Sequence, residues 1–272
     1  MYDIIGSLVV CREPLKQIQE AITSFLHTQM NVKLYVIDNS PDDQIHEVCN
    51  DRRIVYIFNG RNLGFAAGHN IAMKLSLNEA AYHVVLNPDV YFAPGVLEKL
   101  FAFASGRPEV GLLMPKVLNP DGSIQYLCKR LPAPSDLLLR RFLPGVLQPL
   151  VEGRLAQYEL RDQDYNTTLS VPFLSGCFMM ISCTALAQVG IFDERYFMYM
   201  EDVDISRRIH QRFKTIYFPE VAIYHCYAKG SYHSARLMMY HMKSAWRYFR
   251  KWGWYRDAER ANINQEDSAG VM

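Results

Sequence analysis

The sequence predicts an α/β protein built on a mostly parallel central sheet flanked by helices. Three observations carry this. Apolar runs of strand length alternate with helical patterns of ten or more residues, the spacing of βαβ units. The opening run, Ile4–Cys11, is apolar almost throughout, as in a strand buried on both faces. Acidic residues, Asp38 and Asp89, stand where strands end, which is where open α/β sheets bind ligands.

The elements follow in order. After Ile4–Cys11, Pro14 opens a helix to about Gln29, with Leu15, Ile18, Ile22 and Leu26 at three- and four-residue spacing. "KLYVIDNS" is a second strand ending at Asp38, followed by a turn at Pro41 and a short helix near 45–49. "RIVYIFN" is a third strand, "GFAAGHNIAMKLSL" a helix and "HVVLN" a fourth strand. Pro94 starts the helix "APGVLEKLFAFA", and "VGLLMPKVLNPDGS" is a strand and turn. From 129 to 168 the period degrades among prolines, arginines and leucines; this reads as an insert with one or two short helices, a lid or acceptor region. "LSVPFLSGCFMMIS" restores strand character, "CTALAQVG" is a helix stopped by Gly190, and another helix starts near Glu201. "TIYFPEVAIYHCY" supplies the last strands. A basic, aromatic, amphipathic helix covers 231–256, and 257–272 reads as a disordered tail.

The bulk properties set limits. A chain of 272 residues, 50% hydrophobic and 21% charged, fits one large domain with an appendage. A net charge of +1 argues against nucleic acid as a partner. Six cysteines without a CxxC pair, several inside apolar runs, fit buried free thiols in a reducing cytoplasm. The N-terminus reads directly into a strand rather than a signal segment, and no stretch reaches the roughly 20 apolar residues of a membrane span.

Four clusters could carry chemistry: Asp38, Asn87-Pro88-Asp89, Glu201-Asp202-Val203-Asp204, and His225 with Lys229 and Ser231. Singly, each has a structural explanation: a turn, a helix start complementing the dipole, a satisfied histidine. Their combination on this topology asks for more. There is no GxGxxG, so a dinucleotide oxidoreductase lacks support.

The segments "VIDNS", "GRNLGFAAGHN", "LNPDV", "FLSGCFMMI", "GIFDERYFMYMEDVDISRRI" and "YHCYAKGS" resemble glycosyltransferase family 2, in its rhamnosyltransferase-like branch. That resemblance implies a GT-A-type nucleotide-diphospho-sugar transferase fold over 1–230, with a C-terminal helical extension. It implies Val9, Cys11 and Arg12 at the nucleotide base, where the family often has a Thr-Tyr-Asn-Arg-like sequence. Asp38 would contact base or ribose, and Arg61, Asn62, Gly64, Gly68 and Asn70 would shape the donor pocket. Asn87-Pro88-Asp89 would replace the Asp-x-Asp signature, Asp89 being a metal ligand with His225. Asp202 would be the catalytic base; Gly176, Glu201, Lys229 and Ser231 would contact substrate. The implied reaction is inverting transfer of a sugar, foremost L-rhamnose from its dTDP conjugate, with Mg2+ or Mn2+, onto a saccharide or lipid-linked acceptor in cell-surface polysaccharide synthesis. A UDP-hexose donor and a non-catalytic sugar-nucleotide-binding scaffold stay open, as do a homodimer and peripheral contact of 231–256 with the inner face of the plasma membrane.

Overall fold

The computed structural model describes residues 1–142, 150–226 and 234–266, with side chains left out for 140–142 and 266. Strand β1 (Tyr2–Val10) is central, flanked in parallel by β2 (Val32–Asp38) and β4 (Ala80–Leu86), with β3 (Ile54–Phe58) outside β2. Its side chains alternate between two helical layers, as the pleat requires. Gly6 lies under Phe25 of α1 (Leu15–Leu26), with no room for a Cβ: one placed there would sit 2.6 Å from the ring. On the opposite face, Ser7 and Val9 meet α2 (Phe65–Glu79) through His69 and Gly68.

Beyond β4 the order is not sequential. The strand β10 (Phe178–Ser182) inserts antiparallel between β4 and β6 (Val110–Leu118). Next comes β11 (Lys214–His225), parallel to β6, and its far end pairs antiparallel with β5 (Val90–Phe92). The short strand β8 (Leu169–Ser170) also pairs with β11, and β7 (Cys128–Lys129) with β9 (Phe173–Leu174) forms a separate two-stranded sheet. The helices α3 (Val96–Ser105), α6 (Cys183–Val189) and α7 (Glu201–His210) cover the sheet. The sequence reading of a mostly parallel sheet with flanking helices holds, and the six cysteines are free thiols.

The 129–168 insert carries two short helices, α4 (Pro134–Phe142) and α5 (Glu152–Tyr158), joined by an Arg154–Asp136 ion pair at 2.8 Å. The C-terminal extension is α8 (Ala235–Trp252), capped by Ser234, which accepts from the Leu237 N–H. The expected disordered tail, 257–272, needs correction over 258–266, where α9 (Ala258–Glu266) is docked; 267–272 lie outside the described residues. Asn264 exchanges two hydrogen bonds of 2.9 Å with the Leu131 backbone, and Ile263 is buried. Polar composition had suggested fraying, but Asn264, the buried Ile263, Glu259 bonded to Arg207 and Arg260 bonded to the Pro132 carbonyl hold this nine-residue helix against the domain.

Candidate active site

A cavity of about 610 Å3 opens at the carboxyl ends of β1 and β4. The turn that follows β4 answers what Asn87-Pro88-Asp89 does. The Val90 N–H donates to the Asn87 carbonyl at 3.3 Å, so these residues make a tight turn with proline and aspartate in its middle. The turn also reaches a distant strand. Val90 pairs with His225, and the Cys226 N–H donates to the Asp89 carbonyl at 2.9 Å, which sets Asp89 beside His225. Turn former and carboxylate carrier are one device.

His225 Nε2 lies 3.4 Å from Asp89 Oδ1. The ring is oriented from behind: Gln125 donates through Nε2 to Asn119 Oδ1 and to the His225 carbonyl, both at 2.7 Å. Its Oε1 therefore faces His225 Nδ1 at 3.0 Å and accepts the Nδ1–H. That leaves Nε2 turned toward the carboxylate, the arrangement in which an imidazole offers a lone pair to a cation. Asp89 Oδ1 is buried and has no hydrogen-bond partner among the described residues. One carboxylate oxygen and one imidazole nitrogen, aimed at each other across this gap, fit a hard divalent cation whose other ligands come from a diphosphate. Among the described residues no group of three or more side chains could hold a metal alone.

Across the cavity stands the start of α7. Tyr199 (φ 68) and Met200 (φ 70) are both left-handed, a conformation costing of order 1–3 kcal/mol at each non-glycine residue. Three anchors hold the segment there. The Phe65 N–H donates to the Phe197 carbonyl at 2.8 Å, Ser244 donates to the Met198 carbonyl at 2.8 Å, and Arg247 donates to the Arg195 carbonyl. Gly64 (φ 86) is required, since a Cβ there would lie 2.3 Å from the Phe197 carbonyl oxygen.

Glu201 and Asp202 then open the helix, with different surroundings. Asp202 accepts from the Gly176 N–H at 3.1 Å through Oδ2 and from the Val203 N–H at 2.9 Å through Oδ1. Burial raises its carboxyl above the ordinary range, opposed by those N–H groups and by the charge of Lys129. Glu201 is 4% exposed and its Oε2 has no hydrogen-bond partner among the described residues. Burial first, and the Asp202 charge second, push it well above the usual carboxylate range. The two neighbours thus differ: burial and the adjacent charge push Glu201 furthest up, while Asp202, held by two N–H groups, faces the cavity. Cys177 is a bystander, its thiol pushed up to about 12 by burial.

Of the residues singled out in the sequence, Val9, Cys11, Arg12, Asn62, Gly64, Asn87, Asp89, Gly176, Glu201, Asp202 and His225 line this cavity. Asp38, Arg61, Gly68 and Asn70 are not among its walls. Asp38 accepts from the Ser40 N–H and from the Tyr56 hydroxyl, both at 2.8 Å, and so shapes the loop behind the pocket. Arg61 is exposed. Gly68 lets α2 approach Val9, and Asn70 exchanges hydrogen bonds with the Phe192 backbone at 2.9 and 3.1 Å. Lys229 and Ser231 lie outside the described residues. Asp204 is structural: fully buried, it accepts from Arg208, Lys251 and Trp252 at 2.9, 2.6 and 2.8 Å. Sequence reasoning passed over Glu13, Lys129 and His241, which also line the cavity; none sits in a motif that would flag it.

The fold is that of a GT-A glycosyltransferase. A crystal structure of GalNAc-T7 with UDP, GalNAc and Mn2+ superposes with a TM-score of 0.66 at 15% identity, over 92% of this chain and 48% of that one; the chain spans about half of that structure. The family Glycosyl transferase family 2 matches residues 8–190, and the chain belongs to it. It is 29% identical to the N-acetylglucosaminyl-diphospho-decaprenol L-rhamnosyltransferase of Mycobacterium tuberculosis, over 94% of this chain and 88% of that protein. It is 22% identical to the rhamnosyltransferase WbbL of Escherichia coli, over 79% and 81%.

Proposed function

We propose that this glycosyltransferase is an inverting, metal-dependent rhamnosyltransferase, moving L-rhamnose from dTDP-L-rhamnose to a lipid-linked saccharide in cell-surface polysaccharide synthesis. The observation that carries the reading is the Asp89–His225 pair and the Asp202 carboxylate, which line one cavity. Two relatives with rhamnosyltransferase names, one acting on a lipid diphosphate sugar by its name, support the choice of donor and acceptor. Asp89 and His225 would hold Mg2+ or Mn2+, which supplies charge neutralisation at the departing diphosphate. Asp202 takes the proton of the acceptor hydroxyl as its oxygen attacks the anomeric carbon and the bond to the diphosphate oxygen breaks. Burial and the Asp202 charge favour the protonated form of Glu201, which leaves Asp202 as the better acceptor of that proton.

The outer face of α8 supports a peripheral membrane contact. Met239, Met242 and Trp246 are exposed at 51%, 47% and 49%, among the exposed cations Arg236, Lys243 and Arg250. The inner face packs through Ser244, Tyr248 and Phe249, so the helix serves the domain and offers a surface together. Among the described residues, no helix is long and apolar enough to cross a membrane.

Calorimetric titration of dTDP, UDP and GDP, with and without Mn2+, tests the site. Mn2+-dependent binding of dTDP that disappears in Asp89→Ala is the expected result. Preference for UDP would move the donor to a UDP-hexose, and equal binding without metal would remove Asp89 from the donor site.

A further inference from the structure

Behind the candidate site, four buried polar side chains stand in a hydrogen-bonded row: Ser76, His83, Ser7 and His69. We propose that this row, with Ser7 at its centre, is a positioning device for the transfer step, fixing α2 on the sheet so that Phe65 holds the surroundings of Asp202; this rests on Asp202 being the base of the proposed reaction.

Counting hydrogens fixes the direction of the row. The Ser76 hydroxyl donates to the Ala72 carbonyl at 2.9 Å, one turn back in α2. Its single hydrogen is then spent, so His83 Nδ1, 2.6 Å away, donates to it. A neutral His83 leaves Nε2 as an acceptor, and the Ser7 hydroxyl fills that place at 2.8 Å. Ser7 has spent its hydrogen in turn, so His69 Nδ1 donates to it at 2.6 Å. Both imidazoles are thereby held as Nδ1–H tautomers. Burial keeps them uncharged, pushing His83 down to about 3 and His69 well below its ordinary value.

Three elements meet in this row. Ser7 belongs to β1 and His83 to β4, while His69 and Ser76 lie seven residues apart on one face of α2. The helix is pinned at two points, two turns apart, and so can neither slide nor roll on the sheet. A buried polar row with every link satisfied specifies one arrangement where apolar packing alone would accept several.

The pinned end of α2 reaches the site. The His69 ring packs on the Phe65 ring with centroids 4.3 Å apart, and Phe192 closes on Phe65 at 5.8 Å. Phe65 lines the cavity, and its N–H holds the Phe197 carbonyl, three residues before the left-handed Met200. The tip of its ring is 3.3 Å from where a Gly176 Cβ would stand, and Asp202 Cβ is 3.2 Å from that same point. The Gly176 N–H in turn holds Asp202 Oδ2 at 3.1 Å. From Ser76 to Asp202, each step is a hydrogen bond, a ring contact or a close approach.

Nitrogen-15 NMR of histidine-labelled protein reads the row directly, the two imidazoles being assigned by loss of their signals in His69→Gln and His83→Gln. Both should be neutral Nδ1–H tautomers in wild type at pH 7, and an Nε2–H tautomer at either overturns the proposal. Ser7→Ala removes the central hydroxyl, while Ser7→Thr and Ser7→Val add the same methyl branch with and without it. In the alanine and valine variants the carbon-13 signal of the Asp202 carboxyl, assigned by its loss in Asp202→Asn, should shift. Their kcat should fall about 10- to 100-fold, with Mn2+-dependent dTDP binding unchanged by calorimetry, and Ser7→Thr should restore both signal and rate. Equal kcat in the threonine and valine variants, an unmoved Asp202 signal in Ser7→Ala, or dTDP binding lost in step with kcat would each overturn the positioning role. If wild type transfers no sugar while the tautomers and the Asp202 shift are as expected, the transfer reading falls and the hold of the row on Asp202 stands.

Discussion

Replacing Arg207 with methionine tests how the C-terminal extension is tied to α7, the helix that carries Asp202. Arg207 sits on α7, five residues after Asp202, and its side chain is 1% exposed. It donates twice to Asp257 at 2.7 Å, twice to Glu259 at 2.7 and 3.2 Å, and stacks on Trp252 with its guanidinium carbon 4.2 Å from the ring centroid. The Asp257 side chain is itself 3% exposed, so removing Arg207 strands a buried carboxylate, a loss of about 3–5 kcal/mol. Glu259, 41% exposed, adds little to that sum. Removing both charges in Arg207→Met/Asp257→Asn should recover about 2 kcal/mol or more, because no orphaned ion then remains.

The assay is built into the chain, since its three tryptophans are Trp246, Trp252 and Trp254, all in or beside α8. Urea unfolding followed by tryptophan emission reads the extension directly. A cost under about 1 kcal/mol for Arg207→Met, or a double variant no more stable than the single, would refute the argument. The pH dependence has a definite sign. Burial alone would raise the Asp257 carboxyl, but the Arg207 hydrogen bonds, helped by the Arg260 N–H, hold it below its usual value. The native state therefore binds fewer protons than the unfolded chain. The contribution is complete above the unfolded carboxylate range and lost as pH falls through the native value, below about pH 4.

Three other outcomes are expected. Asp202→Asn should lower transfer about 10²–10⁴-fold while calorimetry shows the nucleotide bound as before; retained turnover would remove the base assignment. Glu201→Gln should gain stability over wild type as pH rises above about 4.5, by up to ~1.4 kcal/mol per pH unit, because native Glu201 keeps a proton that the unfolded chain releases; parallel stability–pH curves for the two proteins would show Glu201 ionised. Gly64→Ala should cost about 3 kcal/mol or more from its 2.3 Å clash with Phe197, whereas Gly95→Ala, left-handed with nothing within 4 Å, should cost only about 1–2 kcal/mol in thermal melts.

The residues legible in the sequence share one property: their type and their position at a strand or helix end both point to chemistry. Asp89, Asp202 and His225 are of that kind, and the parallel character of β1 to β4 followed from the alternating pattern, though not their order. The antiparallel entry of β10 and the crossing of β5 to the far side of β11 were not legible. An apolar run says that a strand is buried without naming its partner. Asp38, Gly68 and Asn70 stand in the same motifs, yet they are not among the cavity walls: their side chains, or the lack of one, hold loops and helices. The Arg207–Asp257 pair was not legible either, because 50 residues separate the partners, a distance no local pattern encodes.

Ten residues of α7 do two jobs that are mechanically one. At its start, two left-handed residues aim Glu201 and Asp202 into the cavity, a conformation that stores several kcal/mol in total unless something over-determines it. One turn later, Asp204 gathers Arg208, Lys251 and Trp252, and Arg207 gathers Asp257 and Glu259. The carboxylate assigned as base and the anchor of the C-terminal helices are thus rigidly coupled. The energy that holds α8 and α9 is of the size needed to hold Tyr199 and Met200 in place. An extension for which the sequence leaves a membrane surface open is, through its inner face, part of the support for the candidate site.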